Sequence, residues 1–387
     1  MVTFFSKSRN ALRCGFAGLA LLALSACDAS LVSNPLPGTG GQKIDPGARV
    51  PVALLLPKSD AAGGPVARSM ENAVRLAIAD LGDKANIDLR VYDTAGKPAT
   101  AAAQAQAAVD GGAKIIIGPL FAEAANAAGN AVADENVVVL SLSNNASIAG
   151  GNVFVLSTTF GNTANRLLSY AARQGKKSAV IVHQNNVSGT TGRDAFAKAA
   201  TRNGVTITRT VAYEFNPAAA TAAGTQAAAA MTETGADTLL ITAEAAGSLG
   251  FLAGTLPPGG GQYVGLTNWN ISQVLTLPSL QGGWFTVPDP GRSAGFRSRY
   301  QAAYGSSPHN LAAGAYDGMA AIGTLIAAGK SNALTTAGLT RRQGFEGAAG
   351  IFRLLPDGTT ERGLAIARVT NNALVVIDPA PRSFGGS

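Results

Sequence analysis

The sequence predicts an α/β fold of two doubly wound parallel-sheet lobes with a cleft between them. Three observations carry that expectation. From residue 49 on, short unbroken apolar runs alternate with stretches of helical periodicity. The alternation then passes through a second full series after residue 157. The 387 residues are 47% hydrophobic and 14% charged, which suits two ordinary-sized cores and argues against disorder.

The first series opens with "VPVALLLP" (50–57), a run suited to a strand buried on both faces. In the next stretch Val66, Met70, Val74, Ala77, Ile78 and Leu81 share one helical face, Gly82 supplies the stop, and Glu71 and Arg75 stand four apart on the wet side. "IDLRVYDT", the Ala-rich "PATAAAQAQAAVDGG", "KIIIGP", a helix over 122–135 and "NVVVLSLS" continue the βαβ pattern. After "NVFVLSTTF" the second series reads helix 162–174, strand "KSAVIVHQ", helix 191–203, strand "VTITRTVAYE", helix 217–234 and strand "DTLLITAE". Helix 247–256 and the strands "QYVGLTNW" and "GGWFTVP" follow, then a long helix over 312–329. The tail "GIFRLLPDGTTERGLAIARVTNNALVVID" reads as one β-hairpin turning at Pro356-Asp357-Gly358. The expected bodies are lobe I over 49–156 and 288–337, and lobe II over 157–287 and 338–380.

The N-terminus reads as an export signal over 1–26. Lys7, Arg9 and Arg13 precede the apolar run "CGFAGLALLAL", which is too short to span a bilayer. "LSAC" resembles a bacterial lipobox, which implies cleavage before Cys27 and lipid attachment there, with several acyl chains holding the protein to a membrane. The other cysteine, Cys14, lies in the discarded segment, so no internal disulfide or thiolate metal cage is expected. Residues 28–48 are Gly-, Pro- and Ser-rich and read as a flexible tether. Asp28 after the lipidated cysteine favours inner-membrane retention in some Gram-negative bacteria, though inner and outer membrane both stay open. The formal charge of +7 falls to +4 without the three bases of 1–26, and no Lys/Arg run carries interleaved aromatics, so no nucleic-acid partner is expected.

Chemistry-bearing patterns are scarce. His183 and His309 lack metal-ligand spacing, and no metal or cofactor is expected. Gly329-Lys330-Ser331 ends like a phosphate-binding loop, but Thr324 stands where the first glycine belongs, and a helix precedes it. "AGSLG" (246–250) has the centre of a nucleophile elbow with alanine in place of its first glycine. A hydrolase is accordingly the least favoured class.

"IIIGPLF", "VVVLSLSNN", "AYDGMAAIGTLIAAG" and "GFEGAAGIFRLLPDGTTERGLAIARV", in that order, resemble stretches of the type I periplasmic binding proteins, the leucine-binding-protein group, over about residues 49–380. Within that group "VALLLP" and "IIGPLF" are most similar to the lipoproteins called penicillin-binding protein activators.

Ligands of doubly wound sheets sit beyond the carboxyl ends of the strands. In lobe I those ends give Ser59, Gly118, Pro119, Leu120, Phe121, Ser141, Ser143, Asn144 and Asn145 as cleft candidates. In lobe II they give His183, Gln184, Glu244 and Trp269. Gly118-Pro119 at the head of a helix is equally a tight turn or a backbone cradle for a carboxylate. For His183 a strand-end histidine bonded to backbone is favoured over a cleft role, and for Trp269 lobe-core or hinge packing stands beside a stacking role.

The resemblance implies a clamp for both charged ends of an amino acid, and the chain departs from it. Leu120 and Phe121 stand where a serine is often near, "HQNNVSGTTG" lacks a tyrosine, and Glu244 sits close to the position of the ammonium-binding acid. That departure favours a non-catalytic, membrane-anchored periplasmic lipoprotein that binds and stimulates a penicillin-binding protein, a peptidoglycan synthase. The alternative is a tethered receptor delivering an amino-acid-like solute to an ABC permease.

Overall fold

A computed structural model of the protein describes residues 40–384. The signal segment 1–26, Cys27 and residues 28–39 lie outside the described residues. Lobe I begins with the alternation β1 (Val50–Leu56), α1 (Gly63–Leu81), β2 (Ile87–Asp93), α2 (Pro98–Asp110), β3 (Ile115–Ile117), α3 (Ala122–Ala131), β4 (Val138–Ser141) and β5 (Val153–Val155). These strands form one parallel sheet in the order β2-β1-β3-β4-β5. Alternate residues of the apolar runs serve opposite faces, as the pleat requires. Val52, Leu54 and Leu56 join Met70 and Val74 of α1 in one core, while Ala53 and Leu55 meet Ala101, Ala105 and Ala108 of α2 on the other side. Burying each large aliphatic side chain contributes about 1.5–3 kcal/mol.

Lobe II takes α4 (Phe160–Arg173), β6 (Ser178–Gln184), α5 (Val187–Asn203), β7 (Thr206–Tyr213), α6 (Pro217–Thr234), β8 (Thr238–Ile241), α7 (Leu249–Ala253), β9 (Gln262–Gly265), α8 (Ser272–Leu275) and β10 (Trp284–Val287). Thr159 caps α4 in a reciprocal capping box with Asn162, and Asn186 and Asn216 cap α5 and α6. The chain then returns to lobe I through α9 (Pro290–Tyr304), α10 (Ala312–Ala327) and α11 (Thr336–Leu339). Helix α9 is absent from the sequence expectation. It buries only Phe296 and Tyr300, so its apolar stripe is faint, although Asp289 at its N-cap, Pro290 and the left-handed Gly305 mark both ends.

The tail corrects the expectation of a single hairpin. Strands β11 (Phe345–Gly347), β12 (Gly350–Leu354) and β13 (Thr360–Arg362) form a small antiparallel sheet. Strands β14 (Ala365–Thr370) and β15 (Ala373–Asp378) form a second hairpin, closed by Asn371 and Asn372 at positive φ, and extend the lobe II sheet to β15-β14-β10-β9-β8-β6-β7. Phe345, Phe352 and Leu354 pack with Met319 and Ile322 of α10 in the lobe I core. The stretch assigned to lobe II from 338 on thus joins that lobe only near residue 364, because the small sheet needs α10 to cover its apolar face.

The tether expectation also changes. Gly40 accepts from the Thr336 amide (2.8 Å), Ile44 donates to Ser331 (2.8 Å), and the Ile44 side chain is buried beside Leu334 and Leu339. Residues 40–44 are therefore stitched to lobe I at the end of the sheet away from the cleft, where the strands begin.

Candidate functional site

The corner after β3 is built by backbone. Gly118 has φ +89°, its N–H donates to the Leu140 carbonyl (2.8 Å), and the Gly118–Pro119 peptide is cis. A Cβ at Gly118 would run into the Leu55 carbonyl oxygen on β1, so only glycine lets β3 lie this close. Pro119 in turn accepts from the Leu142 amide (3.0 Å), which joins the β3 and β4 corners. The chain emerges with Leu120 pinned in the core and Phe121 40% exposed at the N-cap of α3.

Polar groups of the β4 corner serve mainly the corner itself. The Ser141 hydroxyl accepts from the Ser143 amide (3.1 Å), the Ser143 hydroxyl from the Asn145 amide (3.1 Å), and the Asn145 side chain from the Ser147 amide (3.0 Å). Each is a short side-chain turn of the kind Ser and Asn favour. Ser157, on the first crossover to lobe II, donates to the Leu142 carbonyl (2.7 Å).

These corners line an open cavity of about 430 Å³ at the carboxyl end of the lobe I sheet. It brings together the predicted Leu120, Phe121, Ser143, Asn144 and Asn145. Sequence reasoning missed Val66, Leu142, Ser157 and Leu311, which also line it together with Ala62, Gly63 and Ala122. Val66 and Leu142 were legible only as core residues, and Leu311 stands 44% exposed just before α10. Gly118, Pro119 and Ser141 support the wall from behind. Ser59 lies outside it, its amide spent on the Asp93 carboxylate (3.2 Å). Lys58 pairs with Glu71 (2.9 Å), which also holds Arg75 (2.7 Å). Burial raises the Glu71 carboxyl, and the hydrogen bonds from Arg75 and Lys58 outweigh it, so the group stays below its usual range.

The lobe II candidates separate. Trp269 has no exposed surface and packs against Phe285 in the lobe II core, because Gly265 and Gly283 leave room for its indole there. It lines no cleft. His183 is buried on β6 with Nδ1 3.0 Å from the Gln184 carbonyl, and Gln184 is buried beside it, so neither presents a surface to solute. Glu244 is exposed and accepts from the Ser188 hydroxyl (3.3 Å). Ser248 of the near-miss elbow is buried against the Tyr213 hydroxyl (2.6 Å), unlike an exposed nucleophile. Burial pushes the Tyr213 phenol up, the Ser248 bond opposes it, and the neighbouring Glu244 carboxylate adds to the rise. Among the described residues no His, Cys, Asp and Glu cluster has metal-binding geometry, and no helix is long and apolar enough to cross a membrane.

Two doubly wound lobes, three crossovers and a cavity beyond the strand ends define a binding architecture of the two-lobed receptor class. Residues 49–373 match the periplasmic binding protein family, and the chain belongs to it, within the type I, leucine-binding-protein-like group that its motif order resembles.

Among solved structures, the chain is similar to a putative branched-chain amino acid ABC transporter from Rhodospirillum rubrum, at 17% identity and a TM-score of 0.72, covering 85% of this chain and 100% of that one. It is similar to a branched-chain amino acid ABC transporter periplasmic ligand-binding protein from Burkholderia xenovorans, at 20% identity and 0.69, covering 87% and 97%. An ABC transporter substrate-binding protein from Desulfitobacterium hafniense, in complex with Leu, matches at 18% and 0.62, covering 85% and 99%. Likeness at these identities establishes the fold. Comparison with curated proteins found no match.

Proposed function

We propose that this protein is a periplasmic solute receptor that closes its lobes around a small molecule and presents it to an ABC permease, making and breaking no covalent bond. The observation that carries the reading is the lobe I cavity of about 430 Å³, inside the usual range of about 300–1,000 Å³ for small-molecule sites. It lies where doubly wound sheets bind ligands, and three short crossovers permit hinge closure over it. Two of the solved structures of similar fold are described as an ABC transporter periplasmic ligand-binding protein and an ABC transporter substrate-binding protein, which supports the same reading. A lipid anchor at Cys27 would keep the receptor beside its permease.

The test is a pooled-solute thermal shift on the purified protein. A true ligand at 100 times its Kd adds about 2.7 kcal/mol of stability. Silence across amino acids, amines, organic acids and sugars would remove the receptor reading.

A second reading, the penicillin-binding protein activator, draws on the "VALLLP" and "IIGPLF" resemblance and on one surface feature. Val187, Phe215 and Phe251 are 83%, 72% and 51% exposed, on the segments that follow the neighbouring strands β6, β7 and β8. Exposed apolar groups gathered at one end of a sheet suit a protein partner. A reconstituted peptidoglycan synthase assay decides it: an activator raises the rate of glycan polymerisation, and an unchanged rate removes this reading.

A further inference from the structure

Strand β7 is the free edge of the lobe II sheet, paired with β6 alone. It leaves Thr206, Arg209, Thr210 and Ala212 exposed, whereas β2, the edge of lobe I beside β1, leaves none of its residues exposed. A bulge opposite Ala179 and Val180 and the Arg209–Glu233 pair interrupt the first half of β7, and such devices discourage pairing with another chain. The second half is regular, with Thr210 to Tyr213 in register with Ile181 to Gln184. The Tyr213 carbonyl accepts from the Asn185 amide (2.7 Å), so Tyr213 bonds toward the sheet. Main-chain groups alternate in direction along a strand, which turns the N–H and C=O of Thr210 and Ala212 outward, where both residues are exposed.

An open groove of about 280 Å³ lies beside this half of the strand, between Ala212 and Glu214 of the β7 end and Ala219, Ala222 and Gln226 of α6. The three α6 residues share one helical face, and the methyl groups of its alanines leave room for one long side chain. The volume falls below the range of about 300–1,000 Å³ usual for a whole small-molecule site. The groove carries negative charge. Glu214 Oε1 accepts from Asn185 Nδ2 (2.7 Å), nothing among the described residues donates to Oε2, and no lysine or arginine lines the groove. Phe215, the next residue, is largely exposed. An unpaired strand edge, a slot for one side chain and a carboxylate with spare acceptor capacity thus stand together.

We infer that the β7 edge docks an extended peptide segment of a partner protein. The segment adds a strand along Thr210–Ala212, lays the methylenes of a lysine or arginine on the α6 alanines, and sets that charge on Glu214 with an apolar neighbour against Phe215. Such docking needs no solute and no chemistry, so it holds under either reading of function given above. Three pools of capped heptapeptides, with Val, Thr, Tyr and Phe at six positions and Lys, Glu or norleucine fixed at the centre, are passed over the immobilised full-length protein. The Lys pool should be retained about ten-fold or more over the other two, as one charge-assisted bond allows. Glu214→Gln and the groove-filling Ala222→Leu, both at exposed positions, should each weaken the best Lys peptide about ten-fold. Ala212→Pro removes one outward N–H at an edge position open to proline and should weaken it as much. N-methylation of that peptide at alternate residues should abolish binding, and at the residues between should leave it unchanged. This pattern reports strand addition and does not depend on how any variant folds. Equal retention of the three pools, no retention at all, an unchanged affinity in Glu214→Gln, or a dimer of the chain in sedimentation that Ala212→Pro dissolves overturns the inference.

Discussion

The Asp317 carboxylate, on α10 and wholly buried, lies 2.7 Å from Nη1 of Arg362 at the end of β13. Arg362 Nε donates to the Leu156 carbonyl on the first crossover (2.8 Å), and Asp317 Oδ1 accepts from the Ala348 amide (2.6 Å). Asp289, on the second crossover, donates its N–H to the neighbouring Ala349 (2.9 Å). One buried ion pair thus ties a lobe I helix to the backbone where the chain passes between lobes. Gly347 is required beside it, since a Cβ there would strike the carboxylate.

Removing one partner should be far more costly than removing a surface pair. Asp317→Ala leaves the Arg362 guanidinium buried without its counter-ion, at about 3–5 kcal/mol by urea denaturation. The exposed pair Arg209–Glu233 serves as control, with a loss of at most about 1 kcal/mol on Glu233→Ala. Equal effects of the two substitutions would show that the hinge pair contributes nothing special.

Gly118→Ala should destabilise lobe I by at least about 2 kcal/mol, from the left-handed φ and the encounter with the Leu55 carbonyl together. Gly204→Ala, also at positive φ but in open space, should cost only about 1–2 kcal/mol. Chemical denaturation of the two variants checks the ordering; a Gly118→Ala protein as stable as Gly204→Ala would refute the close approach of β1 and β3.

Asp93 predicts an acid limb of stability. Burial raises its carboxyl, but the amides of Ala95, Ser59 and Lys58 together hold it below its usual range. A carboxyl depressed in the folded state stabilises fully above its unfolded pKa, about 3.9, and that contribution disappears as pH falls through the folded value. Asp93→Asn should therefore lower stability at pH 7 and narrow its distance from wild type progressively below about pH 4. Melting temperatures of both proteins across that interval test it, and a gap independent of pH would contradict the assignment.

Ile44→Ala should cost about 2–5 kcal/mol, a core-sized loss in a segment whose composition reads as linker. A loss within about 0.5 kcal/mol, as at ordinary surface sites, would mean that residues 40–44 are not docked.

Much of the architecture was legible in the strand ends and apolar runs. "VPVALLLP" became β1 within one residue, and the helix expected over 217–234 is α6 with the same bounds. In the site, Leu120, Phe121, Ser143, Asn144 and Asn145 line one cavity as the strand-end rule anticipates. Trp269 and His183 occupy equally plausible strand-end positions and point inward. Whether such a residue faces cleft or core depends on which neighbours leave space, and Gly265 at the end of β9 and Gly283 just before β10 do so for Trp269.

Periodicity and turn residues, which act over a few positions, sufficed by themselves to determine two α/β series and which loops gather at the carboxyl ends of the strands. Only tertiary structure decided that β11–β13 belong with α10, that residues 40–44 are held to lobe I, and that Asp317 meets Arg362 at the crossovers. Those outcomes rest on contacts between segments far apart along the chain, where burial and pairing with a distant neighbour outweigh local preference.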